Sequence, residues 1–270
     1  MSRSVKVMGI VNVTPDSFSD GGRYLAPEAA LAHALRLIAE GADILDIGAE
    51  STRPGADPVS AEEEIARAAP LVAAVRAQGD VPISIDTMKP EVARAAVAAG
   101  ADIWNDVTAL GYSPDAPAIA ADLGCEVVLM HMQGEPRTMQ ADPHYDDVVA
   151  EVCAFLQARA QVAIDAGVAR EKIWLDPGIG FGKRVEHNLA LLAHLDKVVA
   201  LGFPVLLGVS RKRFIAALDP AEGAALDGRL AGSLAAGLAG AAAGAAALRV
   251  HDVAQTAQAL KVWNAIGEAR

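Results

Sequence analysis

Asp86, Asn105 and Asp176 each close a short apolar run, and two basic clusters follow later runs, Ser210-Arg211-Lys212-Arg213 and Arg249-Val250-His251. The first set offers hydrogen-bond acceptors and one amide, which suits a flat heterocycle rich in N–H donors. A carboxylate buried there needs such partners, because leaving it unpaired costs several kcal/mol. The basic set gathers guanidinium, ammonium and imidazole groups, the chemistry that receives a phosphate or diphosphate. Asn12, with the acidic pair Asp16 and Asp20 in the polar loop that follows it, can hold a hard cation such as Mg2+, which favours oxygen ligands. Arg53, in the Pro- and Gly-marked segment Ser51–Gly55, can clamp a carboxylate or phosphate, although an isolated arginine is more often a surface residue.

Other chemistries fail on spacing. The run Asp176-Pro-Gly-Ile-Gly-Phe-Gly-Lys183 invites a nucleotide reading. A Walker loop, however, needs glycine where Pro177 stands and Ser or Thr where Arg184 stands. The dinucleotide pattern fails too, because Lys183 occupies the place of its third glycine. These glycines are expected to let backbone pass close to a ligand. The chain contains no GxSxG and no HExxH, and its cysteines and histidines lack metal-ligand spacing. His33, His144, His187 and His194 carry no pattern.

The elements that must position these groups alternate from end to end. Strand-like runs occur at Val5–Val11, Ile44–Ile47, Pro82–Ile85, Ile103–Trp104, Val127–Met130, Ile173–Leu175, Val205–Leu207 and Ala247–Val250. Helical segments include Pro27–Ala39, Ala61–Ala77, Pro90–Ala98, Asp146–Ala166, Glu186–Val199 and Asp252–Ile266. Eight strands, each followed by helical sequence, predict a parallel sheet closed as a (β/α)8 TIM barrel, with a doubly wound open sheet as the alternative. Polar groups recur after each strand, at Asn12, Asp46 with Glu50, Asp86, Asn105-Asp106, His131, Asp176, Ser210–Lys212 and Arg249 with His251. They are almost missing from the opposite ends, so one functional face is expected, where barrel active sites lie and where the seventh and eighth strands often bind phosphate. The loop from Asn12 to about Pro27 exceeds the usual roughly two to six residues and reads as a lid.

With 270 residues, of which 53% are apolar, the chain can fill one large core, and no linker or repeat divides residues 1–270 into more than a single domain. A net charge of −11 argues against nucleic-acid partners without excluding a local positive patch for a small anion. Cys125 and Cys153 read as free thiols of a reducing cytosol, and the N-terminus lacks the features of a secretory signal. Leu230–Leu248 is apolar apart from Ser233, but it is mostly Ala and Gly, so it reads as a closely packed barrel helix and not a membrane span. A cytoplasmic protein is expected.

The segments Met8–Gly22, Asp46–Gly55, Asp176–Lys183, Ser210–Lys212 and Arg249–His251, in that order, resemble the motifs of dihydropteroate synthase, the folate-pathway enzyme of the pterin-binding barrel family. The resemblance implies condensation of 6-hydroxymethyl-7,8-dihydropterin diphosphate with 4-aminobenzoate. It implies a pterin held by Asp86, Asn105, Asp176 and Lys212, with Asp86, Asp176 and Lys212 catalytic. It places the diphosphate on Asn12, Thr52, Arg249 and His251, with Asn12 binding Mg2+. The 4-aminobenzoate then lies among Phe18, Asp20, Arg53, Pro54 and Arg213, where some members carry Ser in place of Arg213. A homodimer is implied as well, and the small-residue stretch Ala231–Ala247 is expected to contribute to its interface. Two rivals remain: a pterin-binding methyltransferase domain that passes a methyl group from methyltetrahydrofolate to a corrinoid, and an inactive pterin-binding paralogue.

Overall fold

The computed structural model describes residues 5–13, 22–50, 58–134 and 138–269, with side chains from residue 27 on in the helix that begins at Gly22. Strands and helices alternate as β1 (Lys6–Asn12), α1 (Gly22–Glu40), β2 (Ile44–Gly48), α2 (Ala61–Arg76), β3 (Ile83–Asp86), α3 (Pro90–Ala98), β4 (Ile103–Asp106), α4 (Ala116–Leu123) and β5 (Glu126–Met130). The second half continues as α5 (Val148–Asp165), β6 (Ile173–Asp176), α6 (Val185–Ala193), α7 (Leu195–Val199), β7 (Leu206–Leu207), α8 (Arg213–Leu218), α9 (Leu230–Ala242), β8 (Ala247–Val250) and α10 (Val253–Glu268).

The strands form one parallel sheet in the order β6-β5-β4-β3-β2-β1-β8-β7. A parallel bridge between Leu175 and Val205, with the Leu175 N–H donating to the Pro204 carbonyl at 2.9 Å, joins β6 to β7 and closes the ring. The expected (β/α)8 barrel is therefore the observed fold, and the open-sheet alternative is set aside.

Strand parity decides what faces inward. Met8, Ile44, Ile103, Val128, Trp174, Leu206 and Ala247 form a buried plug inside the barrel. The alternate residues, such as Val7, Leu45, Ile85, Val127 and Leu175, belong to a larger core between the sheet and the helices. Each fully buried Leu or Ile of that shell contributes about 1.5–3 kcal/mol relative to exposure. Moving two residues along each strand from the plug places Asp46, Asn105, Asp176 and Arg249 inside the ring, one layer nearer the C-terminal ends.

Several boundaries differ from expectation. The helix expected from Pro27 begins at Gly22 and contains Pro27, so the preceding loop is shorter than the sequence suggested. The segment Glu186–Val199 is two helices, because His194 leaves helical geometry (φ −119°, ψ 30°). The short α4 is closed by Gly124 in the left-handed region at φ 61°. The apolar stretch Leu230–Leu248 splits into α9 and β8, and among the described residues no helix is long and apolar enough to cross a membrane. Its small residues serve close approach: a Cβ on Gly240 would lie 2.1 Å from Leu207 Cδ2, and one on Gly232 would lie 2.4 Å from Ile215 Cγ2. The N-terminal strand ends are also less bare than expected. Asp43 accepts from Val7 N and Asp102 from Ile83 N, both at 2.8 Å, while Glu126 accepts from the Trp174 indole. These groups cap the starts of the strands.

Candidate active site

The inner polar layer is wired across the barrel. Arg249 donates through Nε to Asp46 Oδ2 and through Nη2 to Asp86 Oδ2, each at 2.6 Å. Asn105 Nδ2 donates to Asp46 Oδ1 at 3.3 Å. Asp46 is wholly buried, so Arg249 and Asn105 are what make its charge tolerable there. Burial works against the Arg249 charge, but Asp46 and Asp86 outweigh it, and the guanidinium stays protonated. Burial pushes the Asp86 carboxyl upward, Arg249 opposes that, and Asp46 adds to it. Asp86 Oδ1 is buried with no partner among the described residues, an acceptor left for a ligand.

Asp176 ends β6 and accepts the Gly178 N–H at 2.7 Å, which turns the chain sharply into the glycine run. Gly178 (φ 66°) and Gly182 (φ 58°) adopt a conformation that favours glycine, and Cβ atoms there would meet the His131 and Gln133 carbonyls at 1.9 and 2.3 Å. Lys183 turns inward to the protein's own backbone. Its buried Nζ donates to the carbonyls of Gly178 and Phe181, each at 3.0 Å, and meets His131 Nδ1 at 2.9 Å. Burial lowers its pKa to about 7, against the pull of Asp176, and burial with Lys183 takes His131 down to about 3. The pair pegs the glycine run to the end of β5, which agrees with rejecting a nucleotide loop.

On that run rests Lys212, its Nζ 4.2 Å from the centre of the Phe181 ring. Burial and Arg249 lower the Lys212 pKa to about 8, opposed by Asp176 and Asp86. His251 is held by the Ser210 hydroxyl, which receives its backbone N–H at 3.2 Å and lies 3.0 Å from Nδ1. Burial, then Arg249 and Arg211, lower the His251 pKa to about 3, so the ring is neutral at pH 7. Arg213 starts α8 and is exposed, while Asn12 ends β1 half-buried. Asp86, Asn105, Asp176, Lys212, Arg249 and His251 thus come together at one mouth. Thr52, Arg53, Pro54, Phe18, Asp20 and Asp16 lie outside the described residues. Asp106, expected at the same mouth, instead caps its own turn by accepting from Thr108 N and Leu110 N, both at 2.7 Å.

The family model described as pterin binding enzyme matches residues 8–251. A dihydropteroate synthase of Neisseria meningitidis serogroup B is 54% identical over 267 residues, covering 97% of this chain and 93% of the relative. The structure of a Xanthomonas albilineans dihydropteroate synthase with 4-aminobenzoic acid is similar with a TM-score of 0.91 at 55% identity, over 97% of this chain and 93% of that one. The same organism's enzyme in complex with 7,8-dihydropteroate matches with a TM-score of 0.88 at 51% identity, over 99% and 95% of the two chains. The chain belongs to the dihydropteroate synthases. It is accordingly an enzyme, a transferase.

Sequence reasoning left some functional-site residues unassigned. Asp46 stood among the strand-end polar residues but received no role, although its parity with Ile44 points it inward. Lys183 with His131, and Arg211 with Asp252, gave no local signal, because the partners of each pair are distant in the chain.

Proposed function

We propose that the mouth of this barrel performs the condensation of 6-hydroxymethyl-7,8-dihydropterin diphosphate with 4-aminobenzoate, giving 7,8-dihydropteroate and diphosphate. The observation that carries the residue roles is the inner polar layer, where Asp86 Oδ1 is a buried acceptor with no partner among the described residues, near Asn105, Asp176 and Lys212. A pterin edge rich in N–H donors matches Asp86 and Asp176, and its carbonyl and ring nitrogen match Asn105 and Lys212. Arg249 and His251 meet the diphosphate together with Asn12 and Thr52. The carboxylate of 4-aminobenzoate lies toward Arg213, and the motif resemblance assigns Phe18, Asp20, Arg53 and Pro54 to the same substrate.

The residues' work follows from their chemistry. Loss of diphosphate from the exocyclic methylene builds negative charge on the leaving group and positive charge on the pterin. Arg249, fixed by two carboxylates, presents a preorganised cation to the first. Asp176 and Asp86 place negative charge beside the second. The aryl amine, neutral at pH 7, then attacks the methylene carbon, and its proton leaves to solvent without a strong base. Alignment of the two reactants supplies on the order of 7–11 kcal/mol. Asn12 fits a role toward Mg2+, because an amide oxygen is a hard ligand and Mg2+ in phosphate sites takes most of its oxygens from substrate and water. When bound, Mg2+ offsets charge on the departing diphosphate.

The test is diphosphate release from the pterin substrate with and without 4-aminobenzoate and Mg2+. Release that requires both, with dihydropteroate formed, is the expected result. Tight pterin binding without release would favour the methyltransferase or the inactive paralogue instead.

The whole chain, residues 1–270, acts as one pterin-binding domain, and free Cys125 and Cys153 suit a reducing cytoplasm. It works as a homodimer. The outer face of α9 is a stripe of exposed small residues, Ala231, Ala235, Ala239 and Ala242, beside α10 with Val262, Trp263 and Ile266 exposed. The groove between the two helices measures about 380 Å³. The inward-facing glycines of α9 pack on the barrel, which leaves this outer stripe and the groove-lining Leu234 and Leu238 for an interface. Light scattering at micromolar concentration is expected to give twice the 27.8 kDa chain mass, and a strictly monomeric species would refute the interface.

A further inference from the structure

Arg211 adopts φ 58°, in the left-handed region that a side chain with a Cβ enters only when its surroundings hold it there. Four contacts do so. Its N–H donates to Ser233 Oγ at 2.9 Å, and its carbonyl accepts from Arg229 Nη1 at 3.0 Å. Its guanidinium donates to both carboxylate oxygens of Asp252, from Nε at 3.0 Å and from Nη2 at 2.6 Å. Ser233 is itself fixed by donating to the Arg229 carbonyl at 2.7 Å.

The chain positions give this arrangement its meaning. Arg211 lies between Ser210 and Lys212, while Asp252 directly follows His251. One backbone twist therefore sends the Arg211 side chain outward to Asp252 and its neighbour Lys212 inward over Phe181. The ion pair ties the turn after β7 to the turn after β8. On the inner side of the same junction, Ser210 holds His251. A bidentate arginine–carboxylate pair fixes both distance and orientation, which a lysine would not.

We propose that Arg211 is a positioning residue: its ion pair with Asp252, behind the site, fixes Lys212 and His251 relative to one another and so sets the grip on the pterin diphosphate. The inference rests on the reading that these two side chains meet that substrate and not the amine.

Arg211→Gly removes the ion pair without straining the turn, because glycine holds a positive φ freely and the backbone bonds to Ser233 and Arg229 are kept. The KM for the pterin diphosphate is expected to rise about tenfold to a hundredfold, as for a displaced binding group, while the KM for 4-aminobenzoate stays within about twofold. Asp252→Asn, nearly isosteric, is expected to shift the same KM, and the double variant to be no worse than the weaker single, because both act through one pair. Unchanged KM values in Arg211→Gly and Asp252→Asn, an equal rise for both substrates, or activity that merely follows the folded fraction by circular dichroism would each overturn the proposal. A parent chain that forms no dihydropteroate overturns the functional reading itself, whereas an active parent with indifferent variants overturns only the role of Arg211.

Discussion

Asp176→Asn is expected to lower kcat/KM by a factor of about 10²–10⁴ while leaving the unfolding midpoint within a few degrees of the parent. The fold should survive because asparagine keeps an oxygen where Asp176 Oδ1 accepts the Gly178 N–H, so the turn out of β6 persists. Lys183 loses the carboxylate that favours its charge but keeps the carbonyls of Gly178 and Phe181 as acceptors. The site fares worse. Asparagine turns an NH2 toward a pterin edge that already presents N–H groups, so an acceptor becomes a donor facing donors. On the proposed role of Asp176, the charge-assisted hydrogen bonds from that edge are lost, at about 1.5–3 kcal/mol each, and every ~1.36 kcal/mol is a decade of rate. The carboxylate also opposes the lowering of the Lys212 pKa from its usual value to about 8, so its removal drives Lys212 further toward neutrality. Steady-state kinetics beside a thermal melt separate the two effects. Near-parental turnover in a folded variant would sink the assignment of Asp176.

The strands announced themselves because each is a short, nearly continuous apolar run, as parallel strands covered on both faces must be. The mouth announced itself because polar groups such as Asp86, Asn105 and Asp176 interrupt those runs at one end only. Helix limits were harder to read. Nothing in Leu192–Leu195 marks the break at His194, and Pro27, which looked like a start, is accommodated inside α1. The pairings were harder still. Arg249 meets Asp46 and Asp86 across separations of 203 and 163 residues, and no local pattern encodes such distances. Asp106 and Asn105 are adjacent and equally polar, yet strand alternation sends one to its own turn and the other into the barrel. Lys183 sits where a phosphate-binding lysine would be sought; its spacing already excludes a nucleotide loop, but only the carbonyls around its Nζ reveal a peg. Closed topology supplied what sequence order could not, by folding distant strand ends onto one ring.

Lys89→Met is expected to destabilise the chain by about 3–5 kcal/mol, the range for removing one partner from a buried ion pair. Lys89 follows β3 and lies buried, with Nζ 2.7 Å from Glu50 Oε2 and 2.7 Å from Glu64 Oε2. Burial disfavours its charge, yet the two carboxylates more than compensate and raise its pKa. Glu64 is wholly buried, and its Oε1 has no partner among the described residues, so Lys89 supplies most of its compensation. Glu50 is anchored at its other oxygen by the Val59 N–H at 2.9 Å. Methionine fills nearly the same volume, so packing changes little and two buried negative charges are left facing one another. At roughly 2 °C per kcal/mol for a domain of this size, the midpoint should fall by about 6–10 °C. The second variant decides the cause. Lys89→Met with Glu64→Gln removes one of the two charges and should recover much of the loss, whereas a packing defect would leave the double variant no better than the single. Thermal melts of the parent and both variants at pH 7 give the answer. A Lys89→Met midpoint within about 2 °C of the parent would show that the cluster is not held as the geometry requires.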